Sequence, residues 1–360
     1  MKNFTATKED IARLEGLYEG RAVCYGDMHG HSAATEYSDG KFTLAQWKEH
    51  LLEAKLDFAS IVDHRQTLHM QHPDWDNAVF LGGSEPEILI TDTAVENRNN
   101  IDYAMIFTDL ADFEAYLKCY PEEYPCAKGV QGLFPYKFQA DHPKIARMIR
   151  SIKDHGGMFV YVHPLDKGYY DPVDFRDRWF ADETGFEVTN KILGDVDCEA
   201  NVAAYRCWVA LLGEGRRLWA TSGSDAHGTL TKTLSHTTLY ADRKNAKGYF
   251  ARMRVGDITA GPAGIRIAVG DAITGSVGSF AGNRVVVAAG DLHPALPTDH
   301  TYRLDIYDEN GLVTSQPLDP NKMNYFAFDA AADAKFYRAN VYDATEDKRL
   351  AVGNPVWNQK

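Results

Sequence analysis

His29 and His31 stand two apart behind the apolar run Ala22-Val23-Cys24-Tyr25. Residues i and i+2 of a strand project to the same side, so both imidazoles can address one metal ion from a strand end. Asp27 precedes them and is placed to orient a ring or hold the strand end. Similar polar groups recur along the chain, most of them where an apolar run stops. Ser38-Asp39-Gly40 follows the first pair, Asp63-His64 ends Phe58-Ala59-Ser60-Ile61-Val62, and Gly83-Ser84-Glu85 ends Ala78-Val79-Phe80-Leu81. Val162-His163-Pro164 and Gly223-Ser224-Asp225-Ala226-His227 close two later runs. Singly, each has an ordinary explanation: a hydrogen-bonded histidine, an Asp-Gly turn, a cap. Together, parallel strands would gather His29, His31, Asp39, His64, Glu85, His163, Asp225 and His227 on one rim. So many buried ionisable groups need a counter-charge, and divalent cations supply it.

The elements that must position these groups follow from periodicity. Residues 43–55 carry Leu44, Trp47, Leu51 and Ala54 on one helical face, with Thr43 as the cap. Residues 144–155 and 201–214 are also predicted helices, the first stopped by Gly156-Gly157. Between them lie short apolar strands at 58–62, 78–81, 103–107, 158–162, 185–190 and 218–221. A β-then-α rhythm with near-continuous apolar strands predicts a parallel sheet covered by helices, its site at the rim where strands end. After Asp257 the strands at 265–269, 284–288, 302–307, 325–328 and 336–342 alternate with turns and have no helix among them. That predicts a small all-β, sandwich-like unit, dividing the chain into residues 1–257 and 258–360.

A chain of 360 residues with 44% hydrophobic and 25% charged composition fits a globular protein of about two domains. The N-terminal residues lack the apolar core of a signal peptide, and no apolar run is long enough for a membrane helix, so a cytoplasmic protein with no membrane partner is expected. The net charge of -13 argues against nucleic acid as a partner, which needs Lys and Arg to neutralise phosphate, but leaves room for a local basic pocket. Cys24, Cys119, Cys126, Cys198 and Cys207 form no Cys-x-x-Cys pair and read as reduced thiols. The 13 histidines are the compositional oddity.

The six motifs, in order, resemble those of the polymerase and histidinol phosphatase (PHP) metallohydrolases. The resemblance covers roughly residues 20–255. The chain also looks like the branch of that family with an added C-terminal β domain, which includes carbamate-ester hydrolases. The resemblance implies a distorted (β/α)7 barrel holding two or three divalent ions, zinc, manganese or iron. It implies that His29, His31, Glu85 and Asp225 hold one ion, that Glu85 bridges to a second shared with His163, and that Asp39, His64 and His227 hold the third. Where the family usually has a histidine at the start of the next strand, this chain has Asn100-Ile101-Asp102-Tyr103. Asp102 is then an oxygen ligand, or the second ion is weak or absent. Glu87, two residues past Glu85, is the alternative bridging carboxylate.

Such ions acidify water and neutralise charge developing on phosphoryl or carbonyl oxygens. No Gly-x-Ser-x-Gly elbow is present to supply a serine nucleophile. Asp225 or His227 is the expected proton donor to the leaving group. Arg65 is the expected grip on an anionic substrate group, with Lys191 a weaker one. His69, His72 and His236 are expected to be solvated or to line the mouth of the site, and Trp75, Tyr136, Tyr169 and Tyr170 to pack loops or shape a pocket. The expected activity is a phosphoesterase on a small anionic molecule. The alternatives are a carboxylic or carbamate ester hydrolase on the same metals, a non-catalytic metal-binding protein and, third, a nucleic-acid role. Oligomeric state is not legible.

Overall fold

Capping chemistry sets the first two helices of this computed structural model, which describes residues 4–92, 100–119, 133, 137–165, 181–191, 195–228 and 236–359. Thr7 and Asp10 form a reciprocal capping box on α1 (Lys8–Leu17), and Thr43 and Gln46 do the same on α2 (Leu44–Ala54). The α2 face made by Leu44, Trp47, Leu51 and Ala54 is buried, as its spacing predicts. The remaining helices are α3 (Leu110–Cys119), α4 (His142–Asp154), α5 (Glu199–Gly213) and α6 (Ala246–Met253).

The strands that carry the rim are β1 (Ala22–Gly30), β2 (Phe58–Ile61), β3 (Phe80–Ser84), β4 (Glu87–Ile90), β5 (Asn100–Phe107), β6 (Lys137–Ala140), β7 (Met158–Tyr161), β8 (Thr184–Asn190), β9 (Leu218–Gly223), β10 (Thr237–Ala241) and β11 (Ile258–Ala260). β1, β2 and β3 pair in parallel, as do β7, β8 and β9. The wholly parallel sheet expected from the sequence needs correction. β5 runs antiparallel to both β3 and β7, and β10 runs antiparallel to β1. β5 turns back along β3 and β4 in turn, pairing Gly82 with Phe107 and Glu87 with Asp102. An antiparallel return needs no crossover helix, whereas a parallel one does.

The segment after β9 returns to the end of β1, where Gly30 and Ala226 form a bridge. Asp225 N–H donates to the His29 carbonyl (2.7 Å) and His31 N–H to the Ala226 carbonyl (3.3 Å). The sheet is large and mixed, with helices packed on it. Its core is aromatic-rich, with Phe58, Tyr103, Phe107, Phe159, Phe186 and Trp208 all buried.

In the C-terminal part, Ala263–Val269, Arg284–Leu292 and Asn324–Asp329 form an antiparallel sheet, with Ala272–Ile273 at its edge. A second antiparallel set, Tyr302–Asp308, Gly311–Leu318, Phe336–Asp343 and Lys348–Gly353, shares one core with it through Ile265, Val287, Leu304, Phe328 and Val341. These strands are antiparallel to their sheet neighbours, as their alternation with turns predicts. The contacts of this part with the rest of the chain include a strand pairing and a covering helix. Lys348–Gly353 pairs with β11, matching Thr259 to Gly353 and Ala260 to Val352. α1 covers the first sheet from outside, with Leu14 and Tyr18 against Ala268, Val286 and Ala288. Arg266 closes that contact with a two-pronged pair to Glu15 (2.7 and 3.1 Å). Among the described residues no helix is long and apolar enough to cross a membrane.

Candidate metal centre

The backbone around His29 and His31 is fixed from several sides. Asp27 accepts the N–H of His29 (3.1 Å) and of Ser224 (2.9 Å), clamping the end of β1 to the end of β9. Burial pushes the Asp27 carboxyl up to about 6 against the pull of those hydrogen bonds. Asp63 accepts both the N–H and the hydroxyl of Ser32 (2.6 and 2.8 Å), holding the turn after His31. Trp47 donates its indole N–H to the His31 carbonyl (2.9 Å). Gly223 is there because a Cβ would stand 2.4 Å from the His29 Cβ. Arg65, His163 and Asp225 all adopt positive φ (56°, 29° and 54°). Each such residue costs about 1–3 kcal/mol and persists only where its surroundings enforce it.

Three groups of side chains converge on this rim, and in each the potential ligand atoms lie within 4.8 Å of one another. In the first, the Nε2 atoms of His29 and His31 are 3.1 Å apart, and both face Glu85 Oε2 (3.2 and 3.1 Å) and Asp225 Oδ1 (3.4 and 3.1 Å). In the second, His163 Nε2 is 2.9 Å from Glu85 Oε1, and its Nδ1 is 3.9 Å from Asp102 Oδ2. In the third, His227 Nε2 is 3.3 Å from both His64 Nε2 and Asp39 Oδ2, and His31 joins them. Glu85 thus divides its two oxygens between the first and second groups, and His31 belongs to the first and third. It is Glu85 that reaches the groups. Glu87 lies opposite Asp102 in the β4–β5 ladder and accepts from the Asn100 amide. Asp102, the departure from the family pattern, stands beside His163.

The donor set fits divalent ions. Two ring nitrogens facing each other cannot both be protonated without repulsion. Ligand nitrogens about 2.0–2.1 Å from a tetrahedral ion stand about 3.3 Å apart, close to the spacings of both histidine pairs. Asp225 Oδ1 is buried and has no hydrogen-bond partner among the described residues. Imidazole and carboxylate together suit zinc, manganese or iron without choosing among them.

Charge is balanced inside the cluster. Burial pushes Glu85 up, but His29, His64 and His163 overcome it and hold the carboxyl well below its usual range. Burial likewise raises Asp225, and His29, His227 and His31 pull it well below. Burial opposes the charged imidazoles in turn, yet the carboxylates hold His163 at about 9 and His227 at about 10. Asp39 is brought to about 2, its burial outweighed by His227 and His64. Ring protons therefore occupy the place of a cation, and an ion entering the cluster must displace them.

Glu187 escaped the sequence reading. Buried on β8, it accepts the His163 N–H (2.7 Å) and the Asn190 amide (2.9 Å), and its Oε1 lies 3.3 Å from His29 Nδ1. A carboxylate at Nδ1 fixes that proton and turns the Nε2 lone pair toward the cluster. Its signal was an ionisable residue inside the apolar run Gly185-Phe186-Glu187-Val188. Arg65 is half-buried beside His64, with its N–H on the Glu85 carbonyl (3.2 Å). The Lys191 ammonium pairs with Asp195. His69 and His236 are buried, so neither lines a mouth, and His69 instead packs between Asp63 and Trp75. His72 is half-buried, and its Nδ1 accepts the Asp74 N–H. Tyr136, Tyr169 and Tyr170 lie outside the described residues.

No family model matches this chain. No curated protein matches it either. Solved structures similar to it include a two-domain protein from Bacteroides vulgatus containing a predicted PHP-like metal-dependent phosphoesterase. The two are 14% identical over 94% of this chain and 96% of that one, with a TM-score of 0.42. PHP-like proteins are thus among the structures this chain resembles. The lesion-specific endonuclease Q of Pyrococcus furiosus is 13% identical over 66% of this chain and 57% of its own, with a TM-score of 0.45. A further similar structure is endonuclease Q with a 27-mer duplex substrate bearing an abasic lesion at the active site (12% identity, 66% and 58% coverage, TM-score 0.41). These neighbours correct the expectation that nucleic acid is excluded as a partner. The net charge of -13 is a sum over the whole chain, whereas phosphate is neutralised locally, so it cannot carry that exclusion.

Proposed function

We propose that this chain is a metal-dependent hydrolase of PHP type that cleaves a phosphoester in a small anionic substrate. The observation that supports it most is the sharing of a ligand: Glu85 serves two groups with its two oxygens, Oε2 the first and Oε1 the second. Adjacent sites with common ligands are the arrangement of multinuclear hydrolytic centres. In this reading His29, His31, Glu85 and Asp225 hold one ion, Glu85, Asp102 and His163 a second, and Asp39, His64 and His227 a third. Divalent ions held there would acidify water and offset charge on the phosphoryl oxygens.

The chain's own residues do the rest. Glu187 holds the His29 ring by its Nδ1, and Asp27 keeps β1 and β9 in register. His227, half-buried and 3.2 Å from Asp225 Oδ1 through its Nδ1, forms with that carboxylate the pair we assign to the leaving-group proton. Arg65 grips the substrate anion beside His64. Lys191 can join only by giving up Asp195. We read residues 1–257 as the catalytic unit and 258–360 as a second, supporting unit.

The test is metal content per chain after purification without chelators, paired with turnover of phosphomonoesters, phosphodiesters, an abasic duplex and aryl esters in Mn²⁺ or Zn²⁺. Phosphoester turnover that chelation abolishes and metal restores supports the proposal. Turnover of aryl esters alone replaces phosphoester by carboxyl ester chemistry. A folded chain that takes up no metal in excess ends it.

A further inference from the structure

A second polar cluster lies under α5, on one face of Tyr302–Asp308, Phe336–Asp343 and Lys348–Gly353. The antiparallel register sets Arg338 opposite Tyr307, Asn340 opposite Asp305, and Tyr342 opposite both Arg303 and Arg349. Alternation along Phe336–Asp343 puts Arg338, Asn340 and Tyr342 on one side, and α5 lays Tyr205 and Trp208 over it. Arg338 is only 4% exposed, its guanidinium 4.3 Å from the Tyr307 ring centre. Arg349 stacks on Tyr205 at 3.7 Å.

Two features mark this seam. The first is charge. Arg21, Arg252, Arg266 and Arg284 each face a carboxylate, and on the seam's own face Arg303 pairs with Asp305. Among the described residues none forms an ion pair with Arg338 or Arg349. The second is a surplus of donors. Tyr205 Oη accepts from Arg338 Nη1 (3.1 Å) and from the Asn340 amide (2.8 Å), which uses its lone pairs and leaves its own proton to point elsewhere. Arg338 Nε and Arg349 Nη2 are buried without a hydrogen-bond acceptor among the described residues. Stacking on tyrosine stabilises a guanidinium by about 0.5–2 kcal/mol, but it satisfies no N–H. Burial and the neighbouring Arg338 charge also depress Arg349 below the ordinary arginine range, although Tyr205 and Tyr342 oppose this.

We infer that the seam between α5 and the C-terminal strands binds a small tetrahedral oxyanion, either free phosphate or a phosphate group on a larger molecule, through Arg338, Arg349 and the Tyr205 hydroxyl. Such an ion supplies several lone pairs to the unsatisfied donors and the missing negative charge between two cations. The half-buried Tyr205, Tyr307, Tyr342 and Arg349 would form the way in, and Arg338 the floor. The inference does not rest on the proposed metal chemistry.

The probe is inorganic sulfate, titrated calorimetrically into the metal-loaded protein at constant ionic strength. One equivalent is expected to bind the seam. Arg349→Met, which keeps the stem against Tyr205, should weaken it about tenfold or more, and Tyr205→Phe by a smaller factor. His31→Ala should leave that equivalent in place, which separates it from any sulfate at the metal centre. Methylphosphonate, which cannot be hydrolysed, stands for a phosphate carried on a larger molecule. Its competition with sulfate assigns that source, and sulfate binding without competition assigns the free ion. Equal sulfate binding in the wild type and in folded Arg349→Met overturns the inference, as does an absence of binding at tens of millimolar.

Discussion

The rim at the strand ends and the seam under α5 both bury charge, and they differ in sign and in balance. At the rim, imidazoles and carboxylates occur together, hold one another charged and aim lone pairs and oxygens inward. At the seam, guanidinium and phenol donors predominate: Asp305 pairs with Arg303, and among the described residues no carboxylate forms an ion pair with Arg338 or Arg349. One arrangement suits a cation and the other an anion. A buried cluster therefore reports its missing partner through what it has too much of, and only its own donors and acceptors need be counted.

The comparison can be broken most directly at Glu85. Glu85→Gln takes a carboxylate from two groups at once. Hydrolysis should fall on the order of 10³-fold or more, with at least one metal equivalent lost per chain. Retention of full metal content would show that the rim is held by its own protons and needs no ion. Asp102→Ala sharpens the same point, since loss of a single equivalent with the fold intact would place Asp102 among the ligands. Glu187→Gln touches only the back of the His29 ring, and a loss of roughly 10–100-fold in metal affinity is expected by equilibrium dialysis.

Protonation separates the two regions further. In chelated protein, His163 and His227 have folded values raised to about 9 and about 10 from an ordinary 6.5. Their contribution to stability is complete below pH 6.5 and is lost as pH rises through 9 to 10. Denaturation midpoints of metal-free protein should therefore decline across that window. Metal uptake should weaken as pH falls, because protons compete for the same nitrogens. Arginine side chains, in contrast, are ordinarily charged across that window. A flat profile for chelated protein would remove the charge balance assigned to the rim. The smallest effect expected is that of Arg338→Met, a destabilisation of about 1–3 kcal/mol from lost stacking and the lost hydrogen bond to Tyr205, with metal content unchanged.

Much of the rim was legible because each of its groups sits beside an apolar run that announces its own strand. His29, His64, Glu85, His163 and Asp225 needed only the inference that strand ends converge. α2, α4 and α5 begin and end within a few residues of their predicted limits, since caps and glycines mark them. The direction of β5 was hidden, because an apolar strand reads alike in either sense and the clue lay in its return along β3 and β4. Glu187 was hidden inside its own strand, its partners His29 and His163 far away in the chain. The seam had no motif at all. Tyr205 and Arg338 become neighbours only once a helix from the first part lies across strands from the last.

The hydrogen-bonding of β11 on both sides, to β10 and to Lys348–Gly353, bears on any attempt to handle the two parts of this chain separately. A fragment ending at Asp257 would lose β11 and bare the backbone of Thr237, Thr238 and Leu239 as a raw margin ready to recruit another copy. Such a fragment should self-associate even if its interior folds. The intact chain, in contrast, should melt in a single cooperative step, because no seamless place exists at which to tear it.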